Sequence, residues 1–365
     1  MRIGVIFHRP EIIDSNWARK ILFILEKFGQ VNAKLCGTMG TLAVLDSYME
    51  NKITCDFRPT IECLADMIKE CDSIVIVTYS DNTLKSHAFC WHLVKKLNMP
   101  NIPIVEVEAK NRVVIDWCAK SDLSINLARR LKFESILPPD FGETEWVKDG
   151  IKYRRILAAE PGDFVLVNGI VVGRVVSEKV ILKEYDGKIM GGEGVEFKEQ
   201  GLIKLNEMGK IDLFKAKMDT TNSLRRTKFK RRYLEPTIKK DLITFIEHSV
   251  ANYYSANIYE EIEKGMNGAI TIGDDTTAIA GDILSRHRIP IIGIIDGDRD
   301  GLLKNALLAE GSVILYVKSD DHLGEIIHDE IFRGEKHLNL KFVEAKDRVI
   351  RLAIASNQLV KKEEH

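Results

Sequence analysis

GAITIGDDTTAIAGDILSRHRIPIIGIIDGDRDGLL, residues 268–303, is the stretch whose reading decides the fold. GAITIG (268–273) and IPIIGIID (289–296) contain short, unbroken apolar runs, the pattern of strands buried on both faces of a parallel sheet. Between them, TTAIAGDILSRH (276–287) spaces its apolar residues as a helix does, which makes the stretch a βαβ unit. Downstream, DGLLKNALLAEG (300–311) reads as a helix, SVILYVK (312–318) as a strand and DDHLGEIIHDEIF (320–332) as a helix. Upstream, the apolar spacing of residues 238–265 predicts one long helix.

The first 145 residues alternate in the same way. IGVIF (3–7), VNAKLCG (31–37), SIVIVTYS (73–80) and IPIVEVE (102–108) read as strands. Residues 14–29, 60–71 and 85–98 read as helices, the first with Asp14 or Ser15 as N-cap and Gly29 as its stop. Residues 150–220 differ, being rich in Val and Ile and punctuated by PGD, NG and DG turns, as in a meander or partial barrel. The expected fold is α/β: two doubly wound, Rossmann-like parallel-sheet units separated by a small β-rich module. The boundaries are 1–145 for the N-terminal domain, 150–232 for the module and 237–355 for the C-terminal unit.

Composition bounds the function. With 53 basic and 54 acidic residues in 365, the net charge is −1, so a polyanion-binding surface has to be local. It would lie at residues 225–232, where Arg225, Arg226, Lys228, Lys230, Arg231 and Arg232 surround Phe229. The same run also fits a plain solvated face. No apolar run has the length of a membrane span, and no secretory signal is recognisable, which points to the cytoplasm. The six cysteines, Cys36, Cys55, Cys63, Cys71, Cys90 and Cys118, form no CxxC pair and read mainly as buried thiols, with a metal or redox role as the minor alternative.

Four aspartates stand where the two strands of the opening stretch end: Asp274, Asp275, Asp296 and Asp298. Ligands of open parallel sheets bind beyond the carboxyl ends of the strands. Clustered carboxylates repel unless a cation lies between them, and hard oxygen ligands suit Mg²⁺. Asp296 and Asp298 are therefore candidate metal ligands, and Asp274 or Asp275 a further ligand or a catalytic base. Gly273, Thr276, Thr277 and Gly297 would cradle phosphate at the start of the intervening helix. Capping is the competing account, with Asp275 or Thr276 capping one helix and Asp298 or Asp300 the next; it explains two aspartates but not four. Minor candidates are the turn Gly37, Thr38 and Gly40, read first as an ordinary strand-to-helix turn, and His8, His87 and His92.

CGTMGTLAVLD (36–46), PGDFVLVNGIVVGRVVS (161–177), IGDDTTAIAGDIL (272–284) and IPIIGIIDGDRD (289–300) resemble the archaeal, mostly methanogen, domain of unknown function 2117 family. That resemblance samples the whole chain and implies a cytoplasmic archaeal protein without supplying an activity. Two further resemblances are confined to residues 268–303. One is to the Toprim domain, with Asp296 and Asp298 matching its Asp-x-Asp pair and Asp274 or Asp275 standing where that family has Glu. The other is to the NAD kinase fold, through GDDTT (273–277) and PIIGIIDG (290–297), although no β-sandwich follows. Both imply phosphate chemistry at one rim. The expected function is binding of a nucleotide or other phosphate ligand with Mg²⁺, compatible with phosphoryl or nucleotidyl transfer or hydrolysis. Two readings stand beside it: a non-catalytic nucleotide-sensing or assembly protein, with a protein partner or as a homo-oligomer, and an RNA-associated protein using residues 225–232.

Overall fold

The structure is a computed structural model that describes residues 1–36, 38–220, 231–234, 240–247, 256–297, 303 and 307–365. The chain divides into two compact units, Met1–Lys228 and Phe229–His365. It is a mixed α/β protein with two large sheets that contain parallel strands and two small antiparallel ones. No helix among the described residues is long and apolar enough to cross a membrane.

The first unit opens with β1 (Arg2–Phe7), α1 (Glu11–Asp14), α2 (Trp17–Leu25), β2 (Gln30–Cys36), α3 (Thr38–Asp46), β3 (Thr54–Asp56), α4 (Thr60–Glu70) and β4 (Ser73–Thr78). It continues with α5 (Thr83–Lys96), β5 (Ile104–Glu108), β6 (Val113–Asp116), α6 (Asp122–Leu131) and β7 (Glu134–Ile136). The strand order is β3-β2-β1-β4-β5-β6-β7. The first five strands are parallel and β6 runs antiparallel to β5. Ile3, Val5 and Phe7 pack into one core with α1, α2, α3 and α6, and Ile6, Ile74 and Ile76 into another with α4 and α5. The sheet is thus buried on both faces, which is why its strands read as unbroken apolar runs. The helix expected over 14–29 is the shorter α2, which starts after Asn16 in a left-handed conformation (φ 67°) rather than at Asp14 or Ser15, and ends before Gly29.

The same unit continues with β8 (Glu145–Lys148), β9 (Ile151–Ile156), β10 (Phe164–Val167), β11 (Ile170–Val175), β12 (Val180–Tyr185), β13 (Lys188–Glu193), β14 (Val195–Phe197), α7 (Glu199–Glu207) and β15 (Met218–Thr220). These strands form two antiparallel sheets, β14-β11-β10-β15 and β13-β12-β9-β8, which share a core of Val165, Val172, Val180, Leu182 and Leu205. Arg154, 3% exposed, crosses that core and donates to the carbonyls of Leu213 and Ala216, each at 2.7 Å.

The second unit holds β16 (Leu242–Ile246), α8 (Ala256–Glu263), β17 (Gly268–Ile272), α9 (Asp274–Arg286), β18 (Ile291–Ile295), β19 (Val313–Val317), α10 (Asp320–Glu330), β20 (His337–Asn339), α11 (Phe342–Ala355) and β21 (Leu359–Glu364). The order is β20-β16-β17-β18-β19-β21, with the four inner strands parallel and the two edge strands antiparallel to their neighbours. Ile270, Ile272, Ile292 and Ile294 face α10 and α11. Gly281 of α9 lies over Ile291 and Gly293 lies under Thr277, so α9 covers the opposite face. Two expectations are corrected here. The long helix over 238–265 is a strand followed by a helix: LITFI is apolar and held in register by strands on both sides, and burial outweighs its helical spacing. Of the helix expected over 300–311, residues 300–302 and 304–306 lie outside the described ones, and 307–311 form coil and turn rather than helix. The charged residues 361–364 belong to strand β21, on the edge of β19.

Candidate functional site

Strands β17, β18 and β19 are parallel neighbours and end at one rim of the second sheet. Neighbouring strands lie about 4.8 Å apart, so the turns that follow them are adjacent. Asp274 follows β17 and Asp296 follows β18, which places both on that rim. Asp296 is exposed and Asp274 half-buried. The side chain of Asp275, and the whole of Asp298, lie outside the described residues.

Gly273 is the hinge of the turn. Its N–H donates to the Ile294 carbonyl at 2.9 Å, and its carbonyl accepts the Thr277 N–H at 3.0 Å. At φ 94° and ψ 150° it occupies backbone space that only glycine enters readily. It is also the N-cap of α9, and it brings no side chain to cap the first turn. Asp275 and Thr276 therefore sit inside the helix rather than capping it. Acidic residues in a first turn still gain from the helix dipole, so a structural role for them persists.

The threonines divide. Thr277 is fully buried, with its hydroxyl 2.8 Å from that of Thr271 and its methyl under Gly293, so it serves packing. Thr276 is 5% exposed, with its hydroxyl 3.9 Å from where a Gly273 Cβ would stand. Asp320, which the sequence reading placed only in a helix, joins the rim. Its Oδ2 comes within 3.9 Å of the same point, while its Oδ1 accepts the Asp321 N–H at 2.8 Å. Gly297 follows Asp296 on this rim and is half-buried. Among the described residues no group of three or more His, Cys, Asp or Glu is arranged to hold a metal ion.

Of the basic run, Arg225, Arg226, Lys228 and Lys230 lie outside the described residues. Arg231 turns inward: its Nη2 is 2.8 Å from Asp282 Oδ1, and both side chains are 13% exposed. Asp282 also holds the fully buried Arg286, at 3.0 Å. Arg232 is half-buried.

In the first unit the chain reverses its direction of travel across the sheet between β1 and β4, the switch point where open α/β sheets hold ligands. Here the protein supplies its own anions. Lys85, in the first turn of α5, is 2.9 Å from Glu160 and 2.8 Å from Asp163. Glu160 also accepts from Asn82, the N-cap of α5, at 2.7 Å. The Lys85 ammonium, with Asn82 beside it, holds the Glu160 carboxyl below its usual range. A carboxylate thus already occupies the start of α5.

Of the histidine candidates, His87 is buried and His8 and His92 are half-buried. Burial, then Arg9, drives His8 down to about 3, and its ring stacks on Phe89 at 3.7 Å. Burial, then Arg154, lowers His92 to about 4. His87 is buried, with Nδ1 2.9 Å from Glu106. In the turn after β2, Gly37 lies outside the described residues, and Gly40 lets α3 close against Leu35.

The chain belongs to an archaeal family described as an uncharacterised protein conserved in archaea, domain of unknown function 2117, matched over residues 5–335. A relative from Methanocaldococcus jannaschii, itself described as uncharacterised, is 36% identical over 351 residues, spanning 93% of this chain and 92% of its own length. No solved structure matches the chain.

Proposed function

We propose that this member of the archaeal family binds a phosphate-bearing ligand, a nucleotide or smaller phosphate ester, at the carboxyl rim of its second sheet, with Mg²⁺ carried on the phosphates. The observation behind this reading is the convergence at Gly273. A helix start without an N-cap side chain, a glycine-only backbone conformation and the carboxylate-bearing ends of β17, β18 and β19 meet at one rim. Backbone N–H groups at a helix start favour an anion, and glycine admits its close approach. Mg²⁺ keeps several waters and binds through one or two carboxylates plus substrate phosphates, so Asp296 with Asp274 is a sufficient donor set. Asp298 belongs to the same proposal. The metal would supply charge neutralisation on phosphoryl oxygens. Transfer or hydrolysis would call on Asp274 or Asp275 as base, whereas a sensing protein would bind without turnover.

The start of α5 is less suited to phosphate, since Glu160 and Asp163 already neutralise Lys85 there. The test is thermal unfolding with Mg²⁺ and ATP, GTP or pyrophosphate on wild type, Asp274→Asn and Asp296→Asn. Ligand that binds only the folded chain raises its apparent stability. A Mg²⁺-dependent rise that both variants lose is the expected result. A rise that both variants retain, or no rise with any of the three ligands, would reject the site.

A further inference from the structure

The sheet β13-β12-β9-β8 of the first unit packs one face on the module core, through Val180, Leu182 and Ile189. Side chains alternate between the faces along each strand, so their neighbours stand on the other, outer face. The register sets one row across it: Trp146 of β8 opposite Tyr153 of β9, Tyr153 opposite Lys183 of β12, and Lys183 opposite Gly191 of β13. The contacts agree. The Trp146 and Tyr153 rings stack with centroids 5.3 Å apart and planes 4° from parallel, and Lys183 Nζ lies 5.8 Å from the Tyr153 centroid. Tyr153 thus stands between Trp146 and Lys183. Because β8 is the edge strand, the Trp146 ring face turned away from Tyr153 lies toward the sheet edge. At the other end of the row, a Cβ on Gly191 would meet nothing within 4 Å.

The next row, beside the hairpin turns, holds Tyr185, which is 54% exposed and has Lys188 opposite it. Lys148 and Arg155 share the face, each two residues along its strand from Trp146 or Tyr153. Among the described residues none of these three lysines, nor Arg155, is ion-paired to a carboxylate. The acids nearby are mostly taken: Glu193 is 2.9 Å from Lys179, and Asp186 is 2.6 Å from Lys210.

We propose that this sheet face binds single-stranded RNA, with bases stacking on Trp146 and Tyr185 and phosphates lying along the four cations. Rings interleaved with cations are the combination that unpaired bases and a phosphate backbone require. A face built for sheet stability alone would set acids opposite the lysines, whereas Lys183 faces a glycine and Lys188 a tyrosine. An acidic peptide would use the charges but gain little from flat, parallel rings. The Tyr153 and Tyr185 hydroxyls can bond a ribose 2′-hydroxyl, the group that separates RNA from DNA. This surface belongs to the first unit and does not depend on the phosphate site proposed in the second.

The experiment measures fluorescence anisotropy of a short fluorescein-labelled oligoadenylate titrated with the full chain at several salt concentrations. The expected result is saturable binding that Trp146→Ala and Tyr185→Ala each weaken about 5- to 150-fold. Trp146→Phe, which keeps a ring on the stack, should retain most of it. Each phosphate contact on a single strand contributes about 0.7 to the slope of log K against log salt, so Lys183→Ala/Lys188→Ala should lower that slope by about 1.4. Circular dichroism confirms that each variant folds, and the exposure of Tyr185 makes Tyr185→Ala the safest of them. No saturable binding at low salt would overturn the proposal. So would unchanged binding in folded Tyr185→Ala and Lys183→Ala/Lys188→Ala, including the case in which Arg225→Ala/Arg226→Ala abolishes it instead. Equal affinity for the deoxyribose strand would overturn the assignment to RNA.

Discussion

Glu106 lies on β5 with no exposed surface, and the first unit is built around what it accepts. Trp117 Nε1 donates to one carboxylate oxygen at 2.8 Å; the other is 2.9 Å from His87 Nδ1 and 3.2 Å from the Thr78 hydroxyl. Glu106→Leu keeps much of the volume but removes every acceptor. The Thr78 hydroxyl can rotate away, whereas Trp117 and His87 are held by packing. Each stranded buried donor costs about 1–3 kcal/mol, so the loss should be about 2–6 kcal/mol. Glu106→Gln can keep the network. Its amide oxygen can accept from Trp117, and its NH₂ can donate to the Thr78 oxygen and to a His87 tautomer protonated at Nε2. Its cost should stay near about 1 kcal/mol, the difference between a charge-assisted and a neutral bond. The assay is urea unfolding followed by intrinsic fluorescence. All four tryptophans, Trp17, Trp91, Trp117 and Trp146, belong to the first unit, so the signal isolates it. With a slope of about 3 kcal/mol/M, a 4 kcal/mol loss lowers the midpoint by about 1.3 M. A Glu106→Leu midpoint within about 0.3 M of wild type would refute the network's role. Equal damage from Glu106→Gln would show that the carboxylate charge, not acceptor geometry, holds the site.

Further outcomes follow from the second unit. Asp282→Asn strips the fully buried Arg286 of its carboxylate and should cost about 3–5 kcal/mol, read by far-UV circular dichroism in urea. An unchanged midpoint would mean that the Asp282 carbonyl, which Arg286 also contacts at 2.6 Å, is sufficient. Gly273→Ala should cost about 1–3 kcal/mol from backbone strain alone, because a Cβ there meets nothing nearer than 3.9 Å. A neutral effect would show that the turn relaxes out of its glycine-only conformation. Burial raises Glu261, but bonds from Lys264, His337 and Lys336 outweigh it, so its folded pKa lies below the ordinary 4.5. Its stabilisation is therefore complete above 4.5 and is lost as pH falls through the lower folded value. Glu261→Gln should flatten the acid limb of the melting-temperature profile between neutrality and about pH 3. An acid limb as steep as wild type would assign it to other carboxylates.

Local burial period is what the sequence by itself determined. SIVIVT and GAITI have both faces covered, so unbroken apolar runs marked them as inner strands, and the PGD, NG and DG turns marked the antiparallel module. For the same reason Asp274 and Asp296 were legible as strand-end residues. Where the local signal was ambiguous, the tertiary partner decided. LITFI became a strand because β17 and β20 flank it, and the charged tail became one because the edge of β19 was open to it. Asp320 reached the rim because β19 lies next to β18, an ordering no local pattern encodes. The pairings Arg231 with Asp282 and His87 with Glu106 each join residues well apart in sequence. Periodicity records which side of a segment meets the core. Which side chains meet there depends on strand order and register, which only the packed chain fixes.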